Sequence, residues 1–269
     1  IFRAYLGIVF AILIGAGAVL ALLQVASRIE LGAIWKTYRS WLCMAPLAAL
    51  VIFAGRVPFI IGVTVLALLA FREFARVSGL QRDRWMSTAV SAAIVAVGIA
   101  VLRDANFDFV PLGAVAGILL VPILRNRPGE LQQLSLGVLA FIYLGWMFGC
   151  LGVLANTPNA YGYLCYLIFA TEVNDVAGFT FGRIVGRHLL RSEISPRKTW
   201  EGALGALAVS LGLPCLLHFS FPFFGLPQLL LAGLIVGIGA PLGDLSLSAF
   251  KRNLGAKDWG ASLDVSVLP

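Results

Sequence analysis

Three short stretches in the second half of the chain hold residue types able to do chemistry. The first is Thr171-Glu172-Val173-Asn174-Asp175-Val176-Ala177-Gly178-Phe179, inside an otherwise apolar run. A helix there puts Glu172, Asp175 and Phe179 on one face, at i, i+3 and i+7. In lipid, an Asp at a helix centre costs roughly 2.5–3.5 kcal/mol on insertion scales. Two readings follow. Asn174 makes an interhelical polar contact beside a neutralised Glu172, or an acidic face lines a water-accessible cavity.

The second stretch is Ile194-Ser195-Pro196-Arg197-Lys198-Thr199-Trp200-Glu201-Gly202. Serine, then proline, then an apolar run predicts a helix start, with Ser195 as cap and Pro196 at the first helical position. A helix N-terminus presents unpaired N–H groups to a phosphate. Arg197 and Lys198 add cations, and Thr199 adds a hydroxyl. A capped helix with a basic flank is the structural alternative.

The third stretch is Gly243-Asp244-Leu245-Ser246-Leu247-Ser248-Ala249-Phe250-Lys251-Arg252, followed by Lys257-Asp258-Trp259-Gly260. Asp244, Ser248 and Lys251 share a helical face at i, i+4 and i+7. Mg2+ is typically held by one or two carboxylates together with substrate phosphates, and basic residues take the remaining phosphate charge. A juxtamembrane anchor would explain Lys251 and Arg252 but not Asp244.

The elements that must position these groups are membrane helices. The chain has 269 residues, 60% of them hydrophobic and only 12% charged. Soluble domains have roughly 45–50% apolar and about 25% charged residues, so the polar surface of a soluble globule is missing. Runs such as Tyr5–Val25 and Val57–Phe71 carry no charge. They are continuous rather than alternating, which selects helices over barrel strands. The apolar segments are 4–27, 41–55, 57–78, 86–103, 110–124, 131–153, 160–186, 199–219 and 226–250. The expectation is an all-α polytopic protein with nine transmembrane helices, the second and third forming a hairpin split at Gly55-Arg56.

The net charge of +7 sits in short gaps between these runs, so it bears on topology and phosphate partners rather than nucleic acid. Arg28, Lys36 and Arg39 fill the first gap, and Arg72, Arg76, Arg82 and Arg84 surround the third. Arg125 and Arg127 lie in the fifth. The seventh carries Arg183, Arg187, His188, Arg191, Arg197 and Lys198, and the C-terminus carries Lys251, Arg252 and Lys257. The even gaps lack such clusters. The positive-inside rule then places the N-terminus outside and the C-terminus in the cytoplasm. All three reactive stretches meet on the cytoplasmic side, which points to metal-assisted chemistry on a phosphorylated, membrane-resident substrate. Cys43, Cys150, Cys165 and Cys215 lie in apolar stretches without a CxxC pair and read as reduced packing residues. The start at Ile1 and the stop at Pro269 both read as cuts in a longer protein.

At these residues the chain resembles the phosphatidate cytidylyltransferase (CDP-diacylglycerol synthase) family. Its signature S-x-[apolar]-K-R-x4-K-D-x-G is matched by Ser248-Ala-Phe-Lys251-Arg252 and Lys257-Asp258-Trp-Gly260. G-D-L is matched at Gly243-Asp244-Leu245, and S-P-x-K-T-x-E-G from Ser195 to Gly202. Asn174-Asp175 followed by Phe179-Thr-Phe-Gly-Arg183 resembles the family's buried Asp segment. A weaker likeness begins near Arg39 and includes Phe71-Arg-Glu-Phe74. The family pattern continues with P-G-H-G-G and D-R-x-D, whereas Gly260 is followed here by Ala-Ser-Leu-Asp-Val-Ser-Val-Leu-Pro. The family implies that this later aspartate joins Asp244 at the metal, so the expectation is either a C-terminally trimmed enzyme or a diverged protein, with the activity of this stretch by itself left open.

The resemblance implies condensation of CTP with phosphatidic acid to CDP-diacylglycerol and pyrophosphate, with Mg2+ and, as an open alternative, a second cation. It implies catalytic roles for Asp175, Lys198, Asp244, Lys251, Lys257 and Asp258. It implies substrate-binding roles for Ser195, Arg197, Thr199, Glu201, Ser248 and Arg252, and metal ligation by Asp244 and Asp175. Three regions follow: an additional N-terminal helix over 1–36, scaffold helices over 37–159 and a catalytic membrane region over 160–269. The partners implied are CTP, phosphatidic acid and bilayer lipids, with a homodimer left open. The implied setting is a bacterial inner membrane with the site facing the cytoplasm. Rival readings are a CTP-dependent lipid or polyprenol kinase, an ion-coupled transporter, and a degenerate family member acting as a scaffold.

Overall fold

The computed structural model describes residues 1–26, 32–104, 107–126, 131–191 and 193–253. They form two compact units, Ile1–Phe59 and Ile60–Pro269. Lys257 and Asp258 lie outside the described residues.

The first unit holds α1 (Phe2–Ala26) and α2 (Gly32–Phe53). Tyr38 Oη donates to the Leu13 carbonyl at 3.0 Å, and Trp35 Nε1 donates to Gln24 Oε1 at 2.8 Å. Gly17 makes the approach possible: a Cβ there would stand 2.5 Å from Tyr38 Oη. α2 begins at Gly32, nine residues before the apolar run expected at 41, so Lys36 and Arg39 lie within the helix rather than in a gap. A break at Gly55, in the left-handed region at φ 110°, separates it from α3 (Arg56–Val77). Only glycine takes that conformation without strain.

The second unit continues with α4 (Arg84–Leu102), α5 (Val110–Arg125), α6 (Leu131–Ala140) and α7 (Met147–Ala155). α6 and α7 join through the π-helical turn Phe141–Trp146 into one continuous helical stretch. α4 packs against α5, α6 and α7. Asp83 caps α4 by accepting from Met86 N at 3.2 Å, and its other oxygen accepts from Arg125 Nη1 at 2.6 Å. That ion pair ties the start of α4 to the end of α5. Glycines on α6 and α7 admit the α4 side chains: a Cβ on Gly149 would be 2.5 Å from Val97, and one on Gly137 would be 2.8 Å from Met86 Sδ.

Next come α8 (Ala160–Val185), α9 (Trp200–Leu216) and α10 (Leu226–Asn253). α9 packs on both α8 and α10, which also touch each other. Between α8 and α9 the chain forms an antiparallel hairpin of β1 (Leu189–Arg191) and β2 (Ser195–Thr199), with Leu189 opposite Thr199 and Arg191 opposite Ser195.

The fold is otherwise helical, as expected of an all-α membrane protein. The hairpin corrects one expectation: Ser195 and Pro196 do not start a helix. The residue before a proline is pushed toward extended backbone, and pairing with β1 satisfies that backbone. Thr199 caps α9 instead, its Oγ1 accepting from Gly202 N at 3.1 Å.

Among the described residues, five helices are long and apolar enough to cross a membrane: Arg3–Leu22, Arg56–Val77, Arg84–Leu102, Leu131–Ala155 and Leu226–Asn253. Tyr38–Phe53, α5 and α9 are shorter apolar helices. α8 is long enough, but Glu172, Asn174 and Asp175 make it more polar. Large apolar side chains such as Leu50, Ile123, Leu124 and Leu216 point outward, as a lipid-facing surface requires. The protein is a helical membrane protein.

Candidate active site

The site is assembled by α8, α9 and α10, and small residues set their spacing. A Cβ on Gly202 of α9 would fall 2.6 Å from the Gly178 carbonyl and 3.1 Å from Gly182 Cα, both on α8. A Cβ on Gly237 of α10 would fall 2.7 Å from Leu207 Cδ1 of α9. Gly233 likewise lies directly against the Ser210 carbonyl.

Asn174 sits at the α8–α9 crossing, 1% exposed. Its Nδ2 donates to Ser210 Oγ at 2.9 Å and to the Ala206 carbonyl at 3.5 Å. This is the interhelical polar contact that one reading of the sequence expected. With Asn174 turned to α9, the next residue is rotated by about 100°. Asp175 is accordingly exposed, and it lies within electrostatic reach of Asp244 on α10 and of Lys198 on β2. Glu172, half-buried, lies within reach of Asp175.

Lys198 Nζ meets Asp244 Oδ2 at 2.5 Å. Their side chains are 28% and 53% exposed, so the pair is open on the Asp244 side. Three of the sequence-predicted groups, Asp175, Lys198 and Asp244, are therefore brought together from residues 69 positions apart at the extremes.

The other candidates are placed around them. Ser248 and Lys251, both half-buried, follow Asp244 along α10, and Arg252 is exposed in the last turn. Phe250 packs edge-on against Tyr143, ring centroids 5.1 Å apart, which anchors this end of α10 to the π-helical turn. Ser195 is half-buried in β2 opposite Arg191. Arg197 is exposed.

Glu201 and Thr199 are engaged within the protein. One Glu201 oxygen accepts from the backbone N–H groups of Arg187 and His188 at 3.1 and 3.2 Å. The other lies 2.6 Å from His188 Nδ1. Trp200 N also donates to the His188 carbonyl at 2.9 Å. Glu201 thus clamps the chain entering β1 to the start of α9. Sequence reasoning missed this clamp and the role of Ser210, because each joins positions that only the folded crossing brings close.

The donor chemistry fits a hard divalent cation. Two carboxylates, Asp175 and Asp244, lie within electrostatic reach of one another beside Lys198, matching the one or two carboxylates with which proteins hold Mg2+ alongside substrate phosphates. Among the described residues no cluster of three or more acidic, His or Cys side chains would hold a metal by protein ligands alone.

The cytidylyltransferase family matches residues 35–265 of the chain. A phosphatidate cytidylyltransferase of Staphylococcus haemolyticus (strain JCSC1435) is 36% identical over 125 residues, 46% of this chain and 46% of that protein. In that match the chain spans just under half the relative's length. The phosphatidate cytidylyltransferase of Staphylococcus aureus (strain COL) is 27% identical over 226 residues, 79% of this chain and 83% of the relative. An uncharacterized protein, YnbB, of Escherichia coli (strain K12) is 26% identical over 242 residues, 86% of this chain and 80% of the relative. No solved structure matches at a significant level. With most of its length covered by one family, the chain belongs to the cytidylyltransferase family.

Proposed function

We propose that the protein is a phosphatidate cytidylyltransferase. It condenses CTP with phosphatidic acid to give CDP-diacylglycerol and pyrophosphate. The observation that carries this reading is the contact of Lys198 with Asp244 beside Asp175, an acid–base cluster on membrane helices in a chain of this family. A phosphatidate oxygen attacks the α-phosphorus of CTP, the bond to the β-phosphate oxygen breaks, and pyrophosphate leaves. Such a transfer needs positioning and charge neutralisation rather than a covalent enzyme intermediate.

The chain's own residues supply both. Lys198 can leave Asp244 for a substrate phosphate, which frees the carboxylate as a hard oxygen ligand. Asp244 and Asp175 would then hold Mg2+, whose charge offsets that of the phosphates. Lys251, Arg252 and Lys257 take further phosphate charge, and Ser195 and Ser248 offer hydroxyl bonds. Thr199 has a hydroxyl proton to donate while its oxygen caps α9. Asp258 completes the motif. Glu201 acts by holding the hairpin that carries Lys198.

The reading includes nine spans, the N-terminus outside and the C-terminus in the cytoplasm of a bacterial inner membrane. The site then faces the compartment that holds CTP, and the lipid arrives laterally. The alternation of basic and non-basic gaps supports this orientation.

The test is the full-length protein in lipid nanodiscs with Mg2+, CTP and phosphatidic acid. Pyrophosphate and CDP-diacylglycerol are the expected products. CDP as the nucleotide product would reassign the protein as a lipid kinase, and no turnover by the full-length protein would remove the assignment.

A further inference from the structure

The β1–β2 hairpin leaves the end of α8 and returns at the start of α9. In a protein whose helices cross the bilayer, that position is the membrane surface. Lys198 turns toward α10, where it meets Asp244. Its neighbour Arg197 is exposed. The ladder is irregular, with Leu189 opposite Thr199 and Arg191 opposite Ser195.

Arg191, Arg197 and Leu189 are all exposed, Leu189 at 54%. Arg187, just before β1, is exposed, and Trp200, just after β2, is 54% exposed. The acids of this segment do not cancel the charge. Among the described residues they are Glu193, exposed at the turn, and Glu201, which is occupied by His188.

Three arginines interleaved with an exposed leucine and an exposed tryptophan have the composition of a membrane-interface surface. Aromatic rings settle at headgroup depth, and basic residues pair with anionic lipid. A soluble phosphate ligand would use the arginines but not Leu189 and Trp200.

We propose that the exposed side chains of this hairpin (Arg187, Leu189, Arg191 and Arg197, with Trp200) dock on anionic headgroups of the surrounding bilayer. Docking holds the hairpin against the surface from which the lipid substrate comes, while Lys198 stays on Asp244. The inference rests on the membrane placement in the proposed function and not on the reaction, so its test needs no turnover.

The experiment is limited trypsin digestion of the full chain in nanodiscs, with cleavage after Arg187, Arg191 and Arg197 followed by mass spectrometry. Discs of phosphatidylcholine are compared with discs containing phosphatidylglycerol. Hairpin cleavage is expected to slow in the anionic discs, by about five-fold for each arginine engaged, and to recover in high salt. The double variant R191Q/R197Q keeps Arg187 as a cleavage site, and most of its protection should be lost. Equal cleavage of the unmodified chain in both discs would overturn the proposal. So would equal protection of the variant, or protection in phosphatidylcholine discs on adding CTP, which would give these arginines to the nucleotide. Pyrophosphate release, measured separately, reports on the reaction alone.

Discussion

At the residue scale the decisive contact is Lys198 with Asp244. Lysine next to an aspartate on a membrane helix has an ordinary use, which is to neutralise the acid at modest expense. Here the pair is open to solvent on the Asp244 side and has a second acid, Asp175, within reach, so it can trade partners with an incoming metal and phosphate. Asp244→Asn keeps the shape and removes the hard ligand. It is expected to lower the rate of pyrophosphate release by about a hundred-fold or more, with the protein still extracted and folded normally. Lys198→Met should give a loss of similar size and weaken CTP binding as well, as read by a rise in KM. If either variant retained full activity, the assignment of that residue would be wrong. Arg197, one position from Lys198, is exposed, whereas Lys198 is half-buried on Asp244.

At the element scale, two kinds of contact hold α8, α9 and α10 together, and their magnitudes differ. The Asn174–Ser210 bond is a single interhelical hydrogen bond, and such bonds average about 0.6 kcal/mol in membrane proteins. The Gly202 crossing is steric, with no room for even a methyl group beside the Gly178 carbonyl. Overpacking of that kind costs about 1–3 kcal/mol. Gly202→Val is therefore expected to destabilise the detergent-solubilised protein more than Asn174→Ala, a ranking that thermal unfolding would reverse if the hydrogen bond dominated. The hairpin depends on Glu201 in another way. Glu201→Ala removes the acceptor for Arg187 N, His188 N and the His188 ring. Lys198 is then held less accurately, and activity should fall by between about ten- and a hundred-fold. Glu201→Gln, which still accepts from the two backbone groups, should recover part of it. Equal loss in both variants would point to a direct role in binding instead.

At the scale of the whole molecule, the expected dependence on a divalent cation is testable by removal. Chelation should abolish turnover, and added Mg2+ should restore it, because the two carboxylates alone leave the phosphates unneutralised. Failure of Mg2+ to restore activity where another divalent ion succeeds would change the metal. A reporter fused after Pro269 should be active only in the cytoplasm, and an extracytoplasmic signal would invert the proposed topology.

Composition and order alone determined that the chain is a helical membrane protein, because continuous apolar runs leave the backbone no other way to satisfy itself in lipid. They also marked Asp175, Lys198 and Asp244, since ionisable groups within or beside such runs need a reason to be there. The local chemistry of Ser195-Pro196 was misleading. Thr199, four residues on, caps α9 instead, and that outcome belonged to pairing with β1 and to the close crossing of Gly202 on Gly178 and Gly182, neither visible along the chain. Which way each group points was also decided only in three dimensions. Asn174 turns inward to Ser210, Asp175 comes within electrostatic reach of Asp244, and Lys198 turns onto α10. Orientation is set by contacts between segments far apart in sequence, whereas membrane character is set by each segment's own apolar run.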